Sequence, residues 1–301
     1  MNLKKSVIIS TIALSSIMTL TACSSKATNS SDKAAVVATM KGQQITSQDL
    51  YNKIKKDNST QNAIRQTIVT DAFNKLYSDK ISNKDVDSKF NETKKSYGSS
   101  FNDTLKSNGM TEDDYKKLLK DQEAIQYGLN ANVSVTNDDL NKAWSTFHPK
   151  SDFNVAKFSD ENAAKSFLEK AKSGDFVKLA KESATNKNEI TTEVDSGATN
   201  IPKDVSTEMW KLHQGEITNV ISTTNDTTQT KEYYVVQLTK EVKKGSDMNK
   251  YKSRLTEIVK ANKLTDSTTM NKTIGTVLTK ANVQIKDKDL STLLVQYFTA
   301  K

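Results

Sequence analysis

The chain has one cysteine, two prolines, two histidines and nine glycines in 301 residues. A single cysteine excludes an internal disulfide framework. The histidines, His148 and His213, both stand beside turn residues and are about 65 positions apart, so too few nitrogen and sulfur ligands remain for a zinc site. No glycine-rich phosphate loop, Gly-x-Ser-x-Gly elbow or nucleophile beside a base is visible, and no metal or organic cofactor is expected. Acidic pairs at Asp113-Asp114 and Asp138-Asp139 are read as first turns of helices rather than as paired catalytic carboxylates. Basic–aromatic alternation is missing and charges are mixed along the chain, which argues against a nucleic-acid partner. Proline is absent until Pro149, so the first half can run as helix without interruption.

What is present begins with an export signal. Residues 1–22 hold Lys4 and Lys5, an apolar run from Val7 to Leu20 broken only by Ser and Thr, and a small-residue ending. That is the layout of a signal peptide, too short for an ordinary membrane span. Its end, Leu20-Thr21-Ala22-Cys23, resembles a bacterial lipobox. The resemblance implies a diacylglycerol thioether on Cys23, which becomes the mature N-terminus, and polar residues 23–33 then read as a tether. Two acyl chains give stable attachment where one is marginal, so the expected location is the extracytoplasmic face of the cell membrane. Removing Lys4 and Lys5 from 44 basic residues leaves 42 against 36 acidic, a mature charge of +6. A soluble charged surface is the favoured reading, with mild attraction to an anionic membrane and wall.

Residues 35–46 alternate and turn at Lys41-Gly42, as a short hairpin does. Four helix starts follow. Thr46-x-x-Asp49, Ser82-x-x-Asp85, Thr111-x-x-Asp114 and Thr136-x-x-Asp139 each place a hydroxyl cap three residues before a carboxylate, a short-armed capping box. Apolar pairs flank each one at the staple positions, such as Ile45 with Leu50 and Val135 with Leu140. Between them apolar residues recur at helical spacing, as in Ile64, Ile68, Ala72, Phe73 and Leu76.

The pattern changes in 147–243. Alternating runs (Phe153, Val155; Tyr234, Val236, Leu238) bracket segments of helical period, in the order strand, helix, short helix, glycine turn, helix, strand, strand. SGDFVKLAKESAT, the Asp195-Ser196-Gly197 turn and Gly215-Glu216-Ile217 match scaffold motifs in order and spacing. With them this stretch resembles a parvulin-type peptidyl-prolyl isomerase domain, and the chain as a whole resembles a PrsA-type foldase lipoprotein. The resemblance implies a site with two facing histidines, one in the first strand and one in the last. Lys157 and Tyr234 occupy those positions here. It also maps the family's Met-Val-Pro-x-Phe pocket onto 200–204, where Asn200 and Asp204 replace apolar residues and Val205 is the nearest apolar substitute. Asp195 alone falls where a family active-site residue would be; as a residue it is read first as a turn carboxylate bonding its own backbone. Weak or absent isomerase activity is expected.

After Lys243-Lys244-Gly245-Ser246, helical periodicity resumes, with a short alternating run at Val283 and Ile285 and a last amphipathic helix from Leu290 to Phe298. So short a tail has little core of its own. It is predicted to fold back on the N-terminal lobe, with 283–285 pairing against 36–40.

The expected fold class is α+β: a discontinuous, mainly helical chaperone lobe (34–146, completed by 244–301) interrupted by a parvulin-like domain (147–243). Expected partners are unfolded or partly folded secreted proteins and, through Cys23, the membrane; monomer or homodimer is left open. The alternative function, a solute-binding lipoprotein of a transporter, requires two α/β lobes and a deep cleft, and the long helical runs argue against it.

Overall fold

The structure, a computed structural model, describes residues 35–299. The predicted signal peptide, Cys23 and the tether lie outside the described residues. In chain order the elements are β1 (Val36–Met40), β2 (Gln43–Thr46), α1 (Ser47–Ile54), α2 (Asn58–Tyr77), α3 (Asn83–Tyr97), α4 (Phe101–Ser107), α5 (Glu112–Asn132) and α6 (Asn137–Thr146). They continue as β3 (Ser151–Phe158), α7 (Glu161–Ala171), α8 (Phe176–Ser183), β4 (Thr191–Val194), α9 (Lys203–Met209), β5 (Ile221–Thr224), β6 (Lys231–Lys240), α10 (Lys252–Thr265) and α11 (Ser267–Lys280). By packing, the described chain divides into 35–134 with 260–299, and 135–259. The fold is α+β, a discontinuous helical lobe carrying an inserted antiparallel-sheet domain. Helix α6 and the first half of α10 belong to the unit that holds the sheet.

Local chemistry accounts for the helix starts. The Thr46, Thr111 and Thr136 hydroxyls accept from the N–H groups of Asp49, Asp114 and Asp139 at 3.2, 3.1 and 3.2 Å. Each carboxylate in turn accepts from the threonine N–H, at 2.9, 2.9 and 2.8 Å. Two otherwise unpaired donors are satisfied per helix. Ser82 caps α3 through the Lys84 N–H at 3.2 Å, without the reciprocal arm.

In the helical unit α2 is central. Ala72 packs with Leu278, Ala281, Leu290, Leu293 and Leu294, while neighbouring Phe73 packs with Leu129, Val133, Leu264 and Val277. Helix α5 comes close to α2 because Gly128 has no side chain: a Cβ there would stand 2.5 Å from the buried Phe73 ring and 2.6 Å from the Tyr77 ring.

The sheet has order β4-β3-β6-β5, antiparallel throughout. One face, with Ala156, Phe158 and Val235, packs under α7 and α8 through Phe167, Leu168, Phe176 and Ala180. The other, with Phe153, Tyr234, Val236 and Leu238, packs under α9 through Val205 and Met209. A third cluster joins Leu140 and Phe147 to Leu255 and Val259 of α10.

Three sequence expectations are corrected. Residues 283–285 form no strand, and β1 pairs with β2 alone among the described residues. Helix α11 ends with Asn282 at φ 55°, and the Val283 N–H returns to the Leu278 carbonyl at 3.0 Å. That closure turns Val283 and Ile285 onto the α2 core. The last segment is not an α-helix but two 3₁₀ turns, Lys288–Leu290 and Val295–Tyr297. Arg65 Nε takes the Leu293 carbonyl at 2.9 Å, and the Tyr297 N–H bonds Leu294 at 3.0 Å instead. Finally, β4 adds a strand where the sequence pattern shows only a turn. Four residues of Thr-Thr-Glu-Val are too short to show alternation, and pairing with β3 makes them a strand.

Replacing Gly128 with alanine tests the α2–α5 approach. Overpacking costs roughly 1–3 kcal/mol, and better helix propensity returns about 1 kcal/mol or less. Net destabilisation of about 1–2 kcal/mol is expected in urea unfolding, and an unchanged midpoint would contradict the packing described.

Candidate functional site

Antiparallel pairing sets Lys157 of β3 directly opposite Tyr234 of β6. Side chains alternate along a strand, so Glu232 and Tyr234 emerge on the same face of β6. These three side chains form one bonded group. Lys157 Nζ stands 2.8 Å from Glu232 Oε1 and 5.9 Å above the centre of the Tyr234 ring. The Tyr234 hydroxyl donates to Glu232 Oε2 at 2.7 Å, and Asn225 Nδ2 donates to Oε1 at 2.9 Å. Burial pushes the Glu232 carboxyl up, but the bonds from Lys157, Tyr234 and Asn225 outweigh it and hold the carboxyl below its ordinary range. Burial, and then the neighbouring carboxylate, pushes the Tyr234 phenol well above its usual value. At neutral pH the group is therefore a lysine–glutamate ion pair capped by a neutral phenol.

An open groove of about 830 Å³ adjoins it, with Lys157, Thr185, Asn186, Glu189, Thr230 and Glu232 on its walls. Thr185 and Asn186 finish the edge of β3 beyond β4. The Thr185 N–H and hydroxyl both donate to the Lys157 carbonyl, at 2.8 and 3.0 Å. Asn186 accepts from the Lys157 N–H at 2.9 Å and donates to the Val155 carbonyl at 2.8 Å. The backbone beneath the groove is thus held by side chains, and most of the residues along its walls are polar or charged.

Asp195 is elsewhere. It follows Val194, the partner of Ser151 at the other end of β3; six residues of strand put it roughly 20 Å from Lys157. Its buried carboxylate accepts from the Gly197 N–H at 2.9 Å, and from Arg254 Nε and Nη2 at 2.6 and 2.9 Å. The hydrogen bonds to Asp195 raise the Arg254 guanidinium, which also reaches Glu257 at 3.0 Å. Asp195 therefore clamps the β4–α9 loop to α10. Asn200 is exposed in that loop. Val205 and Met209 are fully buried beneath α9 and present no open wall to a ligand.

The structure thus brings Lys157 and Tyr234 together and leaves Asp195 and Asn200 apart from them, while Val205 shares the buried cluster beneath α9 with Tyr234. Sequence reasoning did not single out Glu232, Thr185, Asn186 or Arg254. Glu232 was within reach, because it lies two residues before Tyr234 and shares its face. Arg254, 59 residues from Asp195, carried no local signal.

Comparison with known proteins gives a consistent result. Residues 139–249 match the PPIC-type PPIase domain family. The chain is 38% identical to the foldase protein PrsA of Streptococcus mutans, over 99% of this chain and 89% of that protein. To the PrsA of Enterococcus faecalis it is 37% identical, over 98% of this chain and 86% of that protein. The crystal structure of PrsA from Streptococcus pneumoniae superposes with a TM-score of 0.69 at 30% identity, covering 87% of this chain and 99% of that one. Among the described residues no helix is long and apolar enough to cross a membrane.

Two measurements test the bonds. Because Glu232 is depressed when folded, its contribution is fully present above the ordinary glutamate value of 4.5 and is lost as pH falls through the lower folded value. Glu232→Gln is expected to cost about 1 kcal/mol at pH 7, kept small because Lys157 retains a third of its side chain in solvent. The gap to the parent protein should close in thermal scans below pH 4.5. Arg254→Lys loses the two-pronged contact with Asp195 and is expected to destabilise by about 1 kcal/mol; equal urea midpoints would show that the clamp contributes nothing.

Proposed function

Because this chain belongs to the PrsA foldase family, we propose that it assists the folding of secreted proteins outside the cytoplasm chiefly by holding them, with little or no prolyl isomerisation. It binds substrate polypeptide. The lipobox-like Cys23 would keep it at the membrane, where exported chains emerge unfolded. Exposed apolar side chains on the helical unit, including Tyr97, Tyr127 and Phe298, stand among many lysines. Such a surface makes numerous weak contacts with unfolded segments and lowers the exposure that drives aggregation.

The Lys157–Glu232–Tyr234 group carries the second half of the reading. Rotating an X-Pro amide crosses a barrier of ~20 kcal/mol. A site lowers it by gripping the pyrrolidine ring in an apolar pocket beside a desolvated, oriented polar network. Here the places of the two facing imidazoles hold Lys157 and Tyr234, both bonded to the Glu232 carboxylate. Lys157, Glu232, Thr185 and Asn186 are committed to one another or to backbone, as the distances above give. Seating a proline ring against these walls would strip water from polar groups at roughly 1–3 kcal/mol each where no new bond replaces it. Val205, the nearest apolar substitute, is buried in the α9 core.

The full chain, added to a proline-containing tetrapeptide and separately to a denatured secreted protein, tests both halves. The tetrapeptide is expected to isomerise at the buffer rate, while light scattering from the aggregating client falls as the chain approaches equimolar. Lys157→Ala should leave that protection unchanged. Catalysed isomerisation abolished by Lys157→Ala would overturn the holding reading in favour of an enzyme with a rebuilt site.

A further inference from the structure

The first twenty described residues carry an apolar surface that the helical unit leaves uncovered. Val36, Val37 and Met40 of β1 are 49%, 56% and 53% exposed, and Leu50 and Ile54 of α1 are 39% and 44% exposed. Every residue of β1 is exposed and α1 buries none. Five large exposed apolar side chains fall within nineteen residues, a concentration unlike the single exposed ones that are ordinary. Leu50 and Ile54, four residues apart, share one side of α1.

This segment is nevertheless held in place, by polar contacts. The Ser47 N–H bonds the Ala35 carbonyl at 2.8 Å, and the Tyr51 hydroxyl donates to Asp287 at 3.0 Å. Lys55 pairs with Asp287 and Asp289 at 3.1 and 2.8 Å. The two carboxylates within 35–57 are occupied as caps, Asp49 by Thr46 and Asp57 by Ser59 and Thr60. Lys41, Lys53 and Lys56 are exposed and form no salt bridge among the described residues. Exposed apolar side chains interspersed with lysines that form no salt bridge, Lys53 feeling only the charge of Asp49, suit one environment above others, the headgroup layer of an anionic bilayer.

Chain length puts that layer within reach. Val36 lies thirteen residues after Cys23, at most about 45 Å of chain. A surface kept so close to a bilayer sees it as an intramolecular partner, so weak contacts suffice. We propose that β1 and α1 dock on the membrane beside the anchor, with Val37, Met40, Leu50 and Ile54 in the interface and Lys41, Lys53 and Lys56 on acidic headgroups. This rests on the reading of Cys23 as lipidated. Docking would fix how the helical unit stands over the bilayer and leave Tyr97, Tyr127 and Phe298 for clients.

Lipidation consumes the only cysteine sulfur, so Val37→Cys or Ile54→Cys creates a single free thiol for an environment-sensitive fluorophore. The labelled, lipidated full chain is reconstituted into phosphatidylcholine vesicles containing phosphatidylglycerol. Circular dichroism matched to the parent protein confirms folding. Emission from 37 and 54 is expected to shift to the blue and to be quenched by brominated lipid, while a label at the exposed Lys187 stays wet. Each lysine contributes about fivefold to the docking equilibrium, so changing Lys41, Lys53 and Lys56 to Gln should lower the docked-to-free ratio roughly 100-fold. A chain that floats with the vesicles but keeps wet labels overturns docking and leaves the anchor standing. A chain that does not float removes the anchored reading and docking with it. Blue shifts that need no vesicles and grow with protein concentration assign the patch to a second copy; shifts that appear only with unfolded client assign it to substrate. Either result overturns the membrane proposal.

Discussion

The pairing of β3 with β6 is the constraint on which the sheet unit depends. These are its longest strands, and their register decides which side chains share a face. Phe153, Val155 and Lys157 line up with Leu238, Val236 and Tyr234. At one end of this face the apolar members bury themselves under α9; at the other, Lys157, Tyr234 and Glu232 meet. A shift of one residue would send every one of these side chains to the opposite face. The ion pair is therefore a consequence of the same ladder that builds the core. Its polarity is as firmly set as the core's apolarity.

Cations of two kinds hold distant pieces of chain together. Arginine occurs twice in a lysine-rich sequence, and both copies make fixed long-range contacts: Arg254 with Asp195, and Arg65 with the Leu293 carbonyl. The planar guanidinium suits such sites because it loses little freedom per bond formed. Lysines do a different job. Lys260 and Lys244 reach the carbonyls of Asn130 and Trp144, both at 2.6 Å, near the C-terminal ends of α5 and α6. Those carbonyls stand in the last turn, where helical partners run out and the negative end of the helix dipole lies, although Trp144 also takes the Phe147 N–H at 3.3 Å. A chain with few prolines and one cysteine thus closes its long loops with charge and apolar packing.

A parvulin-like scaffold with Lys157 and Tyr234 opposite each other suits the holding role proposed above. The scaffold's stability comes from two apolar clusters, one on each face of the sheet, and neither needs histidine. The Lys157–Glu232–Tyr234 group lies at the polar end of one face, and only Tyr234 of the three belongs to a cluster. Catalysis can be lost there while the fold persists, and a folded domain still offers surface to a client.

Features written in neighbouring residues were legible from the sequence alone. Capping pairs three residues apart, the Lys41-Gly42 hairpin turn, the alternation in β3 and β6 and the helical stripes are all local, because the forces behind them act within one or two turns. So was the meeting of Lys157 with Tyr234, once the family resemblance aligned the two strands. What the sequence could not carry was any choice among distant partners. Whether 283–285 pairs as a strand or packs as a loop depends on Asn282 reversing the chain onto α2. Whether Asp195 joins the groove or clamps α10 depends on Arg254 arriving from 59 residues away. In the final segment the Leu293 carbonyl, which an α-helix would give to Tyr297, is taken by Arg65 from another helix. Local hydrogen bonding and side-chain period belong to the sequence; competition for a shared acceptor or a shared core is resolved only when tertiary packing brings the competitors together.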